Sequence, residues 1–367
     1  MSPVTMLKFR PTVLQDFQVP INSDYRIPDP LPGGLTVDEK PIDFGSVKNV
    51  VMACEETAPL FDYTFLLRLL IRGSDAIRRV FQIFSRDFSD LPIGGIRYGL
   101  IIDPDRWLVS DLTVWRSNLD VLKIMSGWAE DVSFIKTALA GHDVKILDLS
   151  QQTAVLTLQG PETNKILSKI PDKINIADIP YFRFRDLEVC SVNCRVGRLA
   201  YTGLDGVEIL NAANQATRLW KLPSFHAHPA EFSTVNRLRL KAGIALFTHE
   251  FKPPVIAANV GPKRMRQHGK LFADQNRPRV TRVCFSSRML SEPGTNEQVF
   301  SDALWTLEDE FPPEPGILAV TSISRDVAPD RQIGMGYVAP NETGKRLASS
   351  SEFIKDIAIT REIINRF

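Results

Sequence analysis

Tyr98 and Asp111 are the residues of this chain whose types and spacing could do acid–base chemistry together. Two runs with strand-like alternation, 96–102 and 107–114, flank a turn at 103–106. Folding at that turn sets Tyr98 opposite Asp111 on one sheet face. Alternation adds four apolar side chains to that face: Leu100, Ile102, Trp107 and Val109. A carboxylate is costly to desolvate there, which is typical of a working acid or base; the plainer alternative is a polar edge residue bonded to Tyr98.

A second acidic residue, Glu208, lies in a glycine-rich segment at 197–209 that also contains Tyr201. Glycine permits close backbone approach to a flat ligand. A carboxylate such as that of Glu208 can accept two hydrogen bonds from an amidine-like donor pair, as found on pterins and guanines. From these residues alone, a tight hairpin with a solvated Glu208 is the alternative interpretation.

The elements that must position these residues begin near residue 65. A strand at 65–71 is followed by a glycine turn in which Ser74 is placed to cap a helix. The same pattern of strand, glycine turn and helix start occurs again at 154–163. This repeat predicts two related α+β units, each an antiparallel sheet with helices on one face.

The chain of 367 residues suggests two or three domains, and the change of pattern past residue 275 favours three. The proline- and glycine-rich arm 1–50 is expected to wrap over a later domain and to join 150–265 in one α+β unit. Residues 51–149 form the second α+β unit and carry the Tyr98 and Asp111 hairpin. Short strands broken by Pro and Gly predict a C-terminal β-barrel or sandwich over 275–367.

Composition narrows the class of partner. Lys plus Arg number 44 against 43 Asp plus Glu, a net charge of +1, which argues against binding nucleic acid through bulk charge. No run approaches the roughly 20 apolar residues of a membrane helix, so we expect no membrane partner and a cytoplasmic protein, or one of an organelle matrix. The pairs Cys190/Cys194 and His226/His228 lack further ligands at metal-site spacing, so we expect no metal.

The order of four segments resembles the glycine-cleavage T-protein (aminomethyltransferase) family of tetrahydrofolate-dependent one-carbon transferases and demethylases. The resemblance runs from about residue 60 to 340. Its segments are Leu60-Phe61-Asp62 with Gly73-Ser74-Asp75-Ala76, Tyr98 thirteen residues before Asp111, residues 198–208, and residues 238–251. Each segment is a soft motif, but four in the right order are specific.

This resemblance implies a cloverleaf of three domains around a central channel that holds tetrahydrofolate. It implies that Asp111 lies near the folate N10 and assists transfer of the one-carbon unit. It further implies that Tyr98 lines the folate, that Tyr201 lies in the channel, and that Glu208 holds the pterin edge. The folate-binding domain is then the unit formed by 1–50 and 150–265.

Departures from the family pattern concern the donor. Val235 stands where the family has an arginine of the folate neighbourhood, and Arg237 and Arg239 are the candidates to replace it. Phe247 stands where the family has a tyrosine. We therefore include Arg239 and Phe247 among the expected cofactor-binding residues. Because the pattern departs this far, a small-molecule donor is favoured over a lipoyl carrier protein.

Two alternatives to an enzyme remain at this point. One is a non-catalytic folate-binding protein resembling the iron–sulfur assembly branch of the superfamily. Those relatives carry a K-G-C-Y-x-G-Q-E segment, which 247–251 does not match. The other alternative is a degenerate relative that has lost folate altogether.

Overall fold

The computed structural model describes residues 56–103, 107–127, 131–170, 172–220, 227, 230, 232–251, 255, 280–289, 311–325, 331–340, 347–349 and 354–362. The predicted arm at 1–50, the turn residues 104–106, His226 and His228 lie outside this part of the chain. None of the described helices combines the length and apolar character needed to cross a bilayer.

The described strands, in chain order, are β1 Leu60–Asp62, β2 Leu67–Arg72, β3 Ile96–Ile102, β4 Leu108–Asn118, β5 Val121–Ser126, β6 Lys145–Asp148, β7 Thr153–Gln159, β8 Phe184–Val189, β9 Val192–Arg198, β10 Gly206–Ala212, β11 Thr281–Met289, β12 Ile317–Arg325, β13 Arg331–Val338, β14 Ala348–Ser349 and β15 Ile354–Glu362. The helices are α1 Ala76–Ile83, α2 Asp131–Ala138, α3 Thr163–Leu167, α4 Ala213–Trp220, α5 Phe232–Ala242 and α6 Phe247–Glu250.

The first sheet has the order β1-β7-β10-β9-β8, and its neighbours are antiparallel. Strand alternation divides β7 into two faces. Leu156 and Leu158 pack in a core with Ile166 of α3 and Leu219 of α4. The opposite face of β7 carries Val155 in a second core, together with polar residues at 157 and 159. The helices therefore cover one face, as predicted, and the other face is left for the site.

The second sheet has the order β3-β4-β5-β2-β6, again with antiparallel neighbours. Leu69 and Ile71 of β2 pack with Val80 of α1 and Ile135 of α2. Strand β1 belongs to the first sheet, where Phe61 pairs with Thr157, although it falls within the predicted unit 51–149. The second sheet therefore begins at β2, and the domain boundaries themselves stay a prediction.

The repeat predicted at the two glycine turns is present in the structure. Gly73 has φ +141° and Gly160 has φ +151°, which are conformations that a side chain resists. A Cβ atom at either position would lie 2.2 Å from a backbone carbonyl oxygen, that of Asp143 or of Thr57. The predicted cap at Ser74 is wrong, because the Ser74 hydroxyl donates to Asp143 Oδ2 at 2.6 Å; the helix N-cap is Asp75, whose side chain makes no capping hydrogen bond.

The third sheet has the order β14-β12-β13-β11-β15. A bridge between Leu347 and Ile357 brings its two ends together, so the sheet is a nearly closed barrel. Val283, Phe285 and Leu318 fill its interior. The predicted α+β class, with two antiparallel-sheet units and a C-terminal β unit, is confirmed.

The first two sheets meet at their edge strands. Gly95, before β3, bridges Arg183, before β8, and the Phe184 amide donates to the Gly94 carbonyl at 2.8 Å. Beside this junction the ring of Trp115 occupies the space over Gly197, where a Cβ atom would lie 2.2 Å from the ring. This contact holds the two sheets face to face around a shared apolar core.

Candidate active site

Strands β3 and β4 bring Tyr98 and Asp111 together. The Tyr98 hydroxyl donates to Asp111 Oδ2 at 2.7 Å, so the predicted pairing of these side chains is present. The predicted register is wrong, because Tyr98 lies opposite Thr113 and Asp111 opposite Leu100. The two side chains therefore meet diagonally across the strands.

The register differs because of the turn and a bulge. The Asp103 amide donates to the Trp107 carbonyl at 3.0 Å, and the Trp107 amide donates to Asp103 Oδ1 at 2.7 Å. These bonds pair Asp103 with Trp107, which shifts the register by one residue from the predicted one, and a bulge before Ile102 shifts it by one residue more. Because side chains alternate between faces, a total shift of two residues leaves Tyr98 and Asp111 on the same face.

The same bulge changes which apolar residues share the face of Asp111. Leu108 packs with Leu100 beside Tyr98, as part of a core that includes Ile102. Val109, predicted on this face, packs instead in the core of the second sheet. The prediction for Val109 is wrong because a bulge inverts the alternation on the strand that carries the extra residue.

Asp111 titrates near neutrality. Its side chain is buried, and burial raises the pKa of Asp111 to about 6, with a smaller contribution from the negative charge of Glu250. The hydrogen bond from Tyr98 opposes this by favouring the carboxylate. Burial and the Asp111 charge hold the pKa of Tyr98 well above its ordinary value, so the phenol stays a donor. The pair can therefore accept a proton at Asp111.

A buried carboxylate on the opposite face fixes the strand of Asp111. Asp131, at the start of α2, accepts a hydrogen bond from Ser110 Oγ at 2.7 Å and another from Ser126 Oγ. Ser110 precedes Asp111 on β4, and Ser126 ends β5. This bonded set ties the two strands to the helix and keeps the Asp111 backbone in place.

Glu208 lies on β10 between Thr157 of β7 and Gly197 of β9. Its side chain is 6% exposed, and Oε2 accepts no hydrogen bond from the described residues. Burial alone raises the pKa of Glu208 to about 8. The predicted alternative of a solvated glutamate is therefore wrong. A buried acceptor without a donor is costly, so Oε2 lacks a partner that the described residues do not supply.

The polar neighbours of Glu208 on the same sheet are already paired with one another. Gln159 Nε2 donates to Thr157 Oγ1 at 2.7 Å, and the Thr157 hydroxyl donates to the Val207 carbonyl at 2.9 Å. Gln159 Oε1 accepts from the backbone amides of Tyr201 and Thr202, each at 3.1 Å. Glu208 Oε2 receives no hydrogen bond from this network.

Tyrosine side chains connect the two carboxylates. Tyr201 packs with Tyr98 in one core and with Tyr63 in the next. Burial, and more weakly the charge of Asp111, raise the pKa of Tyr201 well above its ordinary value. Burial followed by the charge of Glu208 does the same for the pKa of Tyr63. Each of these groups influences the next, in the series Asp111, Tyr98, Tyr201, Tyr63 and Glu208, which is called the tyrosine wall below.

Arg239 lies beside Tyr201, whose pKa its positive charge lowers, and is held in a buried ion pair. Its Nη1 donates to Glu250 Oε2 at 2.8 Å and to the Ile244 carbonyl at 3.1 Å. Nε donates to Asn236 Oδ1 at 2.8 Å, and Nη2 donates to Ser322 Oγ at 2.7 Å. A cofactor could bind Arg239 only at the expense of these bonds. The guanidinium therefore joins α5 to the third sheet, and we do not carry it into the proposed site.

The remaining site predictions concern Val235, Phe247 and the hydroxyl of Tyr201. Val235 is fully buried in the apolar core that holds Tyr63 and Leu210. The side chain of Phe247 lies outside the described part of the chain. The Tyr201 hydroxyl donates to the Ala245 carbonyl at 2.6 Å, which fixes the ring against the turn between α5 and α6.

Sequence reasoning missed two members of the site, Tyr63 and Gln159. Gln159 could have been found from β7, where Thr157 and Gln159 interrupt the apolar run that follows Thr153. Tyr63 follows β1 directly and carried no such signal. Within the described residues, no group of three or more His, Cys, Asp or Glu side chains could hold a metal ion.

Comparisons with known proteins identify the family of the chain. Residues 24–267, about two thirds of the chain, match the family described as the GCVT N-terminal domain. An aminomethyltransferase of Bacillus licheniformis is 30% identical over 242 residues, which cover 62% of this chain and 66% of the relative. An aminomethyltransferase of Thermotoga petrophila is 28% identical over 231 residues, which cover 61% of this chain and 63% of the relative. The chain thus spans just under two thirds of the length of the curated relatives it matches.

The fold is shared with a solved structure. The glycine cleavage system aminomethyltransferase T from Bartonella henselae superposes with a TM-score of 0.65 at 20% identity, over 81% of this chain and 82% of that one. The predicted three-domain T-protein fold is confirmed by this match. The chain therefore belongs to the glycine-cleavage T-protein family, defined by its GCVT N-terminal domain, as a divergent member.

Proposed function

We propose that the protein is a tetrahydrofolate-dependent one-carbon transferase that takes a methyl or aminomethyl carbon from a small donor. The observation that carries this proposal is the pair of buried carboxylates at the two ends of the tyrosine wall. One, Glu208, has an oxygen without a donor, and the other, Asp111, titrates near neutrality. The family supports the same reaction class.

The residues around Glu208 fit a pterin. A pterin edge presents two adjacent N–H donors, and a carboxylate accepts such a pair with both oxygens. The aromatic and apolar side chains of the neighbouring core suit the flat ring. The polar atoms of Thr157 and Gln159 are already paired, so Glu208 is the acceptor that a ligand would use.

At the other end of the wall, Asp111 would serve as the proton acceptor. When bound, tetrahydrofolate supplies the nitrogen that receives the carbon. The bond between the carbon and the heteroatom of the donor would break as the new carbon–nitrogen bond forms, and the heteroatom would leave with the bonding electrons. Asp111 would take up the proton that the folate nitrogen loses, and a pKa of about 6 keeps the carboxylate ionised at neutral pH yet basic enough to accept. Tyr98 holds the carboxylate in one orientation through its 2.7 Å hydrogen bond.

The test is anaerobic incubation of the protein with tetrahydrofolate and a donor panel, with methyl- and methylene-tetrahydrofolate read out by mass. The panel contains N-methylated amino acids, a sulfonium compound, an aryl methyl ether and an aminomethylated lipoyl carrier protein. We expect product with a small donor and little with the lipoyl carrier.

Two other outcomes would contradict the proposal. Binding of tetrahydrofolate without turnover of any donor would point to the non-catalytic folate-binding function. A ligand that binds only the native state raises thermal stability with concentration. Absence of any thermal shift with millimolar tetrahydrofolate would point to a relative that has lost folate.

A further inference from the structure

Arg282 lies at the meeting point of the third sheet and the Tyr98 hairpin. It occupies β11 directly opposite Tyr337 of β13, so the two side chains share a sheet face. Tyr337 packs with Leu100 and Leu108 of the hairpin in the core that also contacts Tyr98. The positive charge of Arg282 lowers the pKa of both Tyr98 and Tyr337, against burial that raises them. The guanidinium is therefore close to the phenol that holds Asp111.

The guanidinium of Arg282 is buried and incompletely bonded. The residue is 6% exposed, and neither Nε nor Nη1 has a hydrogen-bond partner in the described part of the chain. The buried arginines Arg68 and Arg239 behave differently, since Nε, Nη1 and Nη2 of each donate to protein oxygens. A buried cation with unmet donors costs free energy, and a bound anion would offset that cost.

Nε–H and Nη1–H point to different sides of the guanidinium, so they act as separate donors. Beside a fixed positive charge, such unmet N–H donors suit an anionic group such as a carboxylate. A donor must lie within bonding distance of the folate nitrogen that Asp111 serves, so a charged end on a small donor falls within a few ångströms of Tyr98. The tail of a folate carries its carboxylates at the far end of a long ligand. A buried cation beside Tyr98 therefore suits the donor better than the tail.

We propose that Arg282 binds the carboxylate of the one-carbon donor, so that this chain selects small N-methylated amino acids over donors without an acid group. This inference rests on the proposed function and adds the substrate class to it. Asp111 then receives a proton, and Arg282 binds the donor through its positive charge.

The experiment compares wild type with Arg282→Gln, Arg282→Lys and the control Arg288→Gln, an exposed arginine on the same strand. Calorimetric titration measures binding of N,N-dimethylglycine and of its amide, with and without saturating tetrahydrofolate. Mildly acidic buffer keeps both amines protonated. Titration of tetrahydrofolate alone is measured in parallel on each protein.

We expect wild type and Arg288→Gln to bind the acid at least about tenfold more tightly than the amide. Arg282→Gln should lose this preference. Arg282→Lys should keep part of it, because an ammonium retains the positive charge but not the planar set of N–H donors. Binding of tetrahydrofolate should change by less than about threefold. Thermal unfolding checks that each variant is folded. If Arg282→Gln does not fold, the comparison of wild type with Arg282→Lys provides the test.

Two results would overturn the role of Arg282. One is a wild type that binds acid and amide equally or binds neither. The other is an Arg282→Gln variant that keeps the preference but binds tetrahydrofolate about tenfold more weakly, which would assign Arg282 to the carboxylates of the folate tail. Failure of wild type to bind tetrahydrofolate would contradict the proposed function instead, and the folate-free titrations would still test Arg282.

Discussion

The two antiparallel sheets repeat one strand order, yet each holds its buried carboxylate in a different way. The order β6-β2-β5-β4-β3 of the second sheet corresponds strand by strand to β1-β7-β10-β9-β8 of the first. In the second sheet Asp111 receives a hydrogen bond from Tyr98. In the first, Glu208 Oε2 receives none from the described residues. One scaffold thus provides a carboxylate that is already oriented and another that is left open for a ligand.

The repeat also explains how the two sheets fit together. Trp115 of β4 pairs with Ile96, the first residue of β3, and Gly197 of β9 pairs with Phe184, the first residue of β8. Trp115 and Gly197 therefore occupy equivalent positions in the two repeats. One repeat supplies a large ring and the other the space for it, so the difference between the copies creates the junction.

The largest expected effect comes from removing the oriented carboxylate. Asp111→Asn should lower turnover by roughly 10²- to 10⁴-fold, the range for loss of a general base, while tetrahydrofolate still binds. Steady-state turnover and folate titration measure the two properties separately. Asp186→Asn, at an exposed aspartate of β8, is the control. Unchanged turnover in Asp111→Asn would remove this residue from the mechanism.

Replacing the open carboxylate should stabilise the ligand-free protein at high pH. Below a pH of about 4.5, Glu208 is protonated in both the folded and the unfolded state. As pH rises towards 8 the unfolded state ionises and the folded state resists, so wild type loses stability while Glu208→Gln does not. The difference should reach on the order of 5 kcal/mol above pH 8. Denaturant unfolding across pH measures it, with Glu188→Gln as control; no pH-dependent gain would contradict the burial of Glu208.

Filling the space at the junction should cost somewhat less. A Cβ atom in Gly197→Ala would lie 2.2 Å from Cη2 of the Trp115 ring, so the ring must move, at about 3 kcal/mol of unfolding free energy. Gly141→Ala is the matched control, because Gly141 has φ +76° and no atom within 4 Å of its Cβ position. Its cost should be about 1 kcal/mol from backbone strain alone. Equal costs for the two variants would contradict the tight contact.

The smallest effect should come from loosening the oriented carboxylate without removing it. Tyr98→Phe deletes the hydrogen bond that lowers the pKa of Asp111, so that pKa rises further above 6. Because the acceptor must be ionised, the acidic limb of the rate profile should move to higher pH. Turnover should fall by up to about tenfold on that limb and less at alkaline pH. The exposed Tyr181→Phe is the control, and an unshifted profile would show that the bond does not tune Asp111.

Local patterns in the sequence predicted what depends on alternation and on short motifs. The shared face of Tyr98 and Asp111 was predictable because a register change of two residues preserves the face. The register itself was not, since the turn closure at Asp103 and the bulge before Ile102 depend on contacts that no pattern reveals.

Long-range contacts account for the other differences. The hydroxyl of Ser74 is drawn from the helix cap by Asp143, which lies 69 residues away in the chain. Arg239 is bonded by Glu250 and by Ser322, which lies 83 residues away. A cation in a folate motif looks like a ligand contact until the residues that surround it in the fold are known.

The pH dependence of tetrahydrofolate affinity tests most directly whether Glu208 is the open acceptor of a folate site. Hydrogen bonds from a pterin favour the carboxylate, so binding below pH 8 must release a proton from Glu208. Affinity of wild type and of Asp111→Asn should therefore rise by up to about tenfold per pH unit towards pH 8 and then level off. Glu208→Gln should bind more weakly and without that slope. An equal slope in wild type and Glu208→Gln, or no binding by wild type at any pH, would contradict the assignment.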